Sequence, residues 1–318
     1  MTIDVATLGE AMLRIWTPTG ERLSNAESFR VSVGGAESNV AVALHQIEKS
    51  ASWISRLSSG PLGDRISQEI GRHGVDLSGV TWDDDSRTGL YFVELSAAPR
   101  PVMVHYDRAN SAASKMSTKN VDFSIIDSAK VFHISGITPA LSSSCAELSL
   151  AAVSHAKTHG VKVTIDINYR SRLWSELDAC KTLTKMCEFA TLVICTREDA
   201  KDVFGITGTS EEVIRELSKK LKVDKLVLTD GAVGAVSLNN GQVKLTPSIK
   251  TDTIDRVGAG DAFAAGVISG LIDNDLDLGV SRGVAMAALK RGIFGDQLIT
   301  SVAEVEQLIA GTRREVSR

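Results

Sequence analysis

From about residue 121 onward, short apolar runs rich in valine and isoleucine alternate with longer stretches of helical pattern, and this alternation limits the fold more than any other feature of the chain. "AKVFHIS" reads as a strand, and "SSSCAELSLAAVSHAKTHG" as a helix with a serine start and a glycine stop. "VKVTIDIN" and "ATLVICT" are strands again, "TSEEVIRELSKKL" is a helix with acids early and lysines late, and "DKLVLTDG" is another strand. Two helical stretches, 261–272 and 278–291, follow. Strands without a polar face, separated by helices, need cover on both sides. This predicts an α/β fold around a mostly parallel sheet with right-handed crossovers. Ligands in such sheets bind outside the carboxyl ends of the strands. The turns after Ser135, Asn168, Thr196 and Thr229 are therefore predicted to share one rim with the loop 258–261.

The first third of the chain departs from this rhythm. "VATLGEAMLRIW" alternates as strands do, and "GGAESNVAVALHQI" is a glycine pair followed by a helix. "SWISRLSSGPLGDRISQEIGRHGVDL" reads as strand, glycine turn, helix and glycine stop. Two extended runs follow, "GLYFVEL" and "RPVMVHYDR", with no helix between them. Segments 11–33 and 86–108 are read as a small antiparallel sheet projecting over the rim as a lid. No repeat or Pro/Gly-rich linker divides the chain, so residues 1–318 are predicted to form a single domain.

Composition removes several classes of function. A formal charge of −4 argues against a nucleic-acid or anionic-membrane surface. No apolar run approaches membrane-spanning length, and the opening "MTIDVATLGE" lacks the basic start of a signal peptide. Cys145, Cys180, Cys187 and Cys195 show no C-x-x-C spacing, and Cys180 and Cys187 suit one helix, so reduced packing thiols are predicted. A cytoplasmic protein is the expectation.

Chemistry concentrates in "TIDRVGAGDAFAAG", Thr253 to Gly266, where a glycine-rich bend ends in Asp261 as an apolar helix begins. Helix N-termini attract negative charge, so Asp261 reads equally as a cap and as a catalytic acid beside amides bared for an anion. The G-x-G-x-x-G dinucleotide pattern, the Walker motif, the protein-kinase set and the G-x-S-x-G hydrolase elbow are all absent. What remains suits phosphoryl transfer to an alcohol, with the loop N–H groups on the phosphoryl oxygens and Asp261 accepting the hydroxyl proton. The helix start is predicted to favour the ionised form that a base requires.

"DRVGAGDAFAAG" resembles the second signature of the PfkB/ribokinase carbohydrate kinases, usually D-T-x-G-A-G-D-x-F. "GGAESNVAVAL" with "GPLGDRI" resembles the first, with Gly34, Gly35, Asn39, Gly60 and Gly63 in place. The resemblance runs the length of the chain. It implies a ribokinase-like three-layer fold with a small β-sheet lid, and an ATP-dependent sugar kinase using Mg2+. Within the family, "VHYDRANSAAS", "DINYRSRLW" and "ALKRGIFGD" are similar to 2-keto-3-deoxygluconate kinases, which implies a sugar-acid substrate. Such a substrate needs a cation for its carboxylate, which arginine supplies as a planar fork. A neutral ketohexose such as fructose, and a non-catalytic nucleotide- or sugar-binding relative, stay open as alternatives.

The resemblance implies Asp261 as base and Gly258, Ala259 and Gly260 as the anion hole. It places Gly34, Tyr91, Tyr106, Asp107, Arg108, Arg170 and Asp296 around the substrate. On the nucleotide side it implies Asn168, Thr229, Gly231 and Gly234, joined by Gly258 and Gly260. Glu10 stands where relatives hold a sugar hydroxyl, although a solvent-facing glutamate fits that position too. Thr196-Arg197-Glu198-Asp199 replaces the usual N-x-x-E, so no metal ligand is assigned, and Arg256 stands where small residues are usual. His133 is read as a packed core histidine. Exposed lid strands suggest pairing with a second copy.

Overall fold

The computed structural model describes residues 3–96 and 99–311. Residues 97 and 98 of the expected lid segment, and residues 1–2 and 312–318 of the single-domain reading, lie outside the described residues. The chain opens with β1 (Ile3–Leu8), β2 (Met12–Trp16), β3 (Arg30–Gly34), α1 (Ala36–Gln46), β4 (Ala51–Ser58), α2 (Pro61–Gly71) and β5 (Val80–Asp83). Then come β6 (Leu90–Glu94), β7 (Met103–Asp107), α3 (Ser124–Asp127), β8 (Ala129–Ser135), α4 (Ile137–Ala140), α5 (Ser143–Thr158) and β9 (Lys162–Asp166). The rest comprises α6 (Glu176–Cys187), β10 (Leu192–Thr196), α7 (Arg197–Phe204), α8 (Ser210–Leu221), β11 (Lys225–Asp230), β12 (Gly234–Asn239) and β13 (Gln242–Pro247). It closes with α9 (Ala259–Asp273), α10 (Leu276–Arg291) and α11 (Val302–Ile309).

The large sheet runs β13-β12-β11-β10-β9-β8-β1-β4-β5. It is parallel from β11 to β5, and the hairpin β12–β13 adds two antiparallel strands at one edge. Successive residues of β10 point to opposite faces, so Val193 and Cys195 enter one core while Leu192 and Ile194 enter the other. One core packs α5, α6 and α8 against the sheet, and the other packs α1, α2, α9 and α10. This is the three-layer α/β arrangement the alternation demanded.

The lid is a separate sheet in the order β3-β2-β6-β7. Its outer pairs are antiparallel as expected, but the central pair β2–β6 is parallel. The reason is connectivity: β4, α2 and β5 intervene between β3 and β6, so β6 returns beside β2 by a crossover rather than a hairpin. Its edges, β3 and β7, are the strands any pairing of copies would use. His133 is buried and bonded through Nδ1 to Thr164 Oγ1 at 3.0 Å, and burial pushes its pKa down to about 3. That is the packed histidine of the sequence reading. All four cysteines are free thiols, with Cys180 and Cys187 both on α6.

Candidate active site

The chain before α9 ends in Gly258, which takes φ +85° at the helix N-cap. A side chain there would be strained, and its Cβ would collide with the main-chain carbonyl of Asp296. Glycine is therefore required by conformation and by space. Ala259, Gly260 and Asp261 form the first turn, and their N–H groups have no partner within the helix. Nothing lies within 4 Å of the position a Gly260 Cβ would occupy, and Gly260 lines the cleft. Asp261 lines a cleft of about 630 Å³ bounded by strand ends of the main sheet and by the lid.

One oxygen of Asp261 accepts a hydrogen bond from Asn39 Nδ2 on α1 at 2.7 Å. Burial raises the Asp261 pKa to about 7, the Asn39 bond opposes the rise, Asp296 adds to it and Arg170 lowers it. The expectation that the helix start would keep this acid readily ionised is thus corrected. Desolvation on the cleft floor outweighs the helix field, which is strong only near exposed ends. A base titrating near neutrality is well matched to proton abstraction from an alcohol.

The lid supplies one wall. Tyr91 and Tyr106 stack with centroids 5.8 Å apart, and both line the cleft with Gly34. A Cβ at Gly34 would collide with the Tyr91 hydroxyl, so glycine keeps the floor low beneath the ring. Arg108 follows Tyr106 by two residues on the same face and also lines the cleft. Its guanidinium is already engaged: Nε donates to Glu10 Oε2 at 2.8 Å, and Nη2 donates to the same oxygen. Ser111 Oγ donates to the other oxygen of Glu10, which is buried and lines the cleft. The solvent-facing reading of Glu10 is excluded. Only Nη1 of Arg108 is left for a ligand.

Asp107 departs from its expected place. Strand alternation turns it away from Tyr106 and Arg108, and it forms a two-point ion pair with Arg87 at 2.6 Å outside the main cleft. Arg170 stands exposed at the end of β9, donating to the Tyr169 carbonyl at 3.0 Å and forming no ion pair among the described residues. Asp296 lines the cleft, and its Oδ1 accepts from Arg14 Nη1 at 2.6 Å.

A smaller cavity of about 280 Å³ lies beyond the turn, lined by Thr229, Gly231, Gly234, Ala259, Gly260 and Phe263 among others. Arg256 lines both this cavity and the cleft, at their junction. Thr229, Gly231 and Gly234 are therefore brought together as predicted, and the hairpin that follows them is present as well. Asn168, at φ +37°, lines the main cleft beside Asp166. Thr196 caps α7 by accepting from Asp199 N at 2.9 Å, which turns Glu198, Asp199 and Asp202 toward the cleft. Burial raises the pKa of Asp166, with Asp199 and Asp261 adding repulsion, and burial likewise raises Asp199. Two desolvated, mutually repelling carboxylates suit a hard cation with phosphate oxygens. Sequence reasoning did not assign Asp166 and Asp199 to the site. Asp166 was signalled only by closing a strand, and Asp199 by ending the Thr196-Arg197-Glu198-Asp199 stretch that replaces N-x-x-E.

Comparison with known proteins gives a family and several relatives. The family described as "pfkB family carbohydrate kinase" matches residues 2–301. The chain is 37% identical to the 2-dehydro-3-deoxygalactonokinase of Haloferax volcanii over 100% of both chains. It is 31% identical to the 2-dehydro-3-deoxygluconokinase of Thermoproteus tenax, over 96% of this chain and 94% of that one. Among solved structures, the 2-dehydro-3-deoxygluconokinase of Thermotoga maritima superposes with a TM-score of 0.92 at 34% identity, covering 98% of this chain and 99% of that one.

Proposed function

The chain belongs to the pfkB family of carbohydrate kinases, and from that premise we propose that it transfers the γ-phosphoryl group of ATP to a primary hydroxyl of a sugar acid, 2-keto-3-deoxygluconate or its galactonate-derived epimer. The observation that carries the reading is Asp261: one carboxylate, held by Asn39 in the first turn of α9 beside the glycine bend, with a pKa of about 7, facing a cleft under a lid. The relatives named for two sugar-acid kinases supply the substrate class. The cleft supports it with Arg170, a guanidinium in no ion pair among the described residues, and with the free Nη1 of Arg108.

In this reading Tyr91 and Tyr106 pack on the substrate from the lid, and Gly34 meets it through the backbone. Asp261 takes the hydroxyl proton as the oxygen attacks, while the amides at 258–260 and the Arg256 guanidinium hold the phosphoryl oxygens. ATP occupies the smaller cavity, with its phosphates reaching the cleft past Arg256. Magnesium carried with ATP would neutralise phosphate charge, and Asp166 and Asp199 are the carboxylates this chain offers it. Arg170 orients the substrate carboxylate by a charge-assisted bond.

A coupled ADP assay over 2-keto-3-deoxy sugar acids and neutral ketoses tests the proposal. Turnover is expected with the acids, and an Arg170→Ala variant is expected to raise KM for them by about 10- to 100-fold. A preference for fructose, undisturbed by that variant, would reject the sugar-acid reading. Asp261→Asn is expected to lower kcat by at least about 1,000-fold while still binding ATP.

A further inference from the structure

Beneath the Gly258–Asp261 turn lies a second set of charges that proton transfer at Asp261 does not use. Lys290, in the last turn of α10, has 0% exposure, yet among the described residues it forms no ion pair. Its ammonium donates to two main-chain carbonyls, Asp255 O at 3.2 Å and Ile293 O at 3.2 Å. Burying an ammonium costs several kcal/mol unless its surroundings compensate, and an apolar side chain would fill the same space without that cost. The two carbonyls belong to the segments that build the anion hole. Asp255 begins the approach to Gly258, and Ile293 lies in the loop 292–296 on which Gly258 packs.

Other bonds hold the same two segments. The Asp255 carboxylate accepts from Arg14 Nη2 at 2.5 Å, from Val257 N at 3.1 Å and from Gly295 N at 3.1 Å. The Arg291 carbonyl accepts from Ile254 N at 2.8 Å. Arg14 also reaches Asp296, so two buried cations, Arg14 and Lys290, stand among two buried acids, Asp255 and Asp296. Burial lowers the Lys290 pKa, and Asp255 and Asp296 pull it back up. An ammonium among carbonyl oxygens does what a small monovalent cation does there: it joins carbonyl dipoles that would otherwise repel.

Resting on the kinase reading, we propose that Lys290 is a positioning residue, a built-in monovalent cation that clamps the phosphate-facing turn onto the loop 292–296 and aims the amides of residues 258–260. Two full-length variants test it, Lys290→Met, which keeps volume and removes charge, and Lys290→Ala, which leaves room for an ion. Lys290→Met is expected to melt cooperatively, bind a non-hydrolysable ATP analogue about tenfold more weakly and lose about 100-fold in kcat. Lys290→Ala is expected to regain turnover and analogue affinity in ammonium or potassium chloride, but not in tetramethylammonium chloride of equal ionic strength, whose ion is too large. The wild type is expected to respond to none of these salts.

Wild-type kcat and analogue affinity in Lys290→Met would overturn the proposal. So would a folded Lys290→Ala that answers equally to small and large cations, or to neither. If Lys290→Ala does not fold, Lys290→Met decides alone. Analogue binding needs no sugar. A wild type that binds the analogue but phosphorylates no sugar acid therefore counts against the substrate reading, and analogue affinity still decides the role of Lys290.

Discussion

At the scale of single residues, the site is a balance between desolvation and a few directed bonds. Asp261 shows it most directly, because a pKa near 7 makes it a half-ionised base at neutral pH. The kcat/KM profile is expected to fall about tenfold per pH unit below roughly pH 7. Asn39→Ala removes the N–H that favours the charged form, so its acid limb should move to higher pH. An acid limb near pH 4 in the wild type would refute this assignment. The sign for stability runs the other way. A carboxyl raised above its ordinary 3.8 favours the folded state fully below that value, and the advantage is lost as pH climbs through about 7. Asp261→Asn should therefore be more stable than the wild type at pH 8 by roughly 4 kcal/mol, and nearly equal to it below pH 4, as denaturant titrations would measure. The glycine turn and its acid were legible as an anion site. Asn39 was legible only as part of a motif, since nothing in the chain announces that a residue 222 positions away will hold the base.

Among elements, α9 matters because its N-terminus is the site. It lies against α10 through facing glycines: a Cβ on Gly266 would collide with the backbone of Gly283, and one on Gly270 with Gly279. The two axes approach closely because no side chains separate them. Gly270→Leu would force the helices apart at a cost of about 3 kcal/mol and tilt the turn that carries Asp261. Thermal unfolding and kcat should fall together, and a variant with an unchanged melting temperature would contradict this account. Both helices were legible from apolar content, with observed bounds Ala259–Asp273 and Leu276–Arg291 against expected 261–272 and 278–291. Their pairing was not, because two mostly apolar helices carry little amphipathic signal to say which face meets which neighbour. The helix α7 escaped the reading for another reason. Its first turn, Arg197-Glu198-Asp199, is wholly charged, and the helix is only eight residues long, so it carries little apolar periodicity.

For the molecule as a whole, the lid and the phosphate turn are one connected body. Arg14 stands on lid strand β2, is wholly buried, and bonds Asp255 before the turn and Asp296 after α10. Trp16, on the same strand, stacks on Phe294 with centroids 5.1 Å apart. Arg14→Met would leave two buried acids short of their cation, and such losses cost about 3–5 kcal/mol. Denaturant unfolding of that variant should shift by this amount, and an unchanged midpoint would show that the lid and the turn are independent.

The sequence by itself determined the layered α/β frame, the rim at the strand ends, the lid segments and the glycine turn with its acid. Each is written in local periodicity, in turn chemistry or in a contiguous motif, so neighbours along the chain suffice to specify it. Only the tertiary structure decided which charges meet. It paired Arg108 with Glu10, turned Asp107 out to Arg87, set Asp166 and Asp199 facing one cleft, and buried Lys290 among carbonyls. Those outcomes depend on distance, solvent exclusion and strand facing across elements far apart in the chain, and electrostatic free energy is a function of these and not of residue type alone.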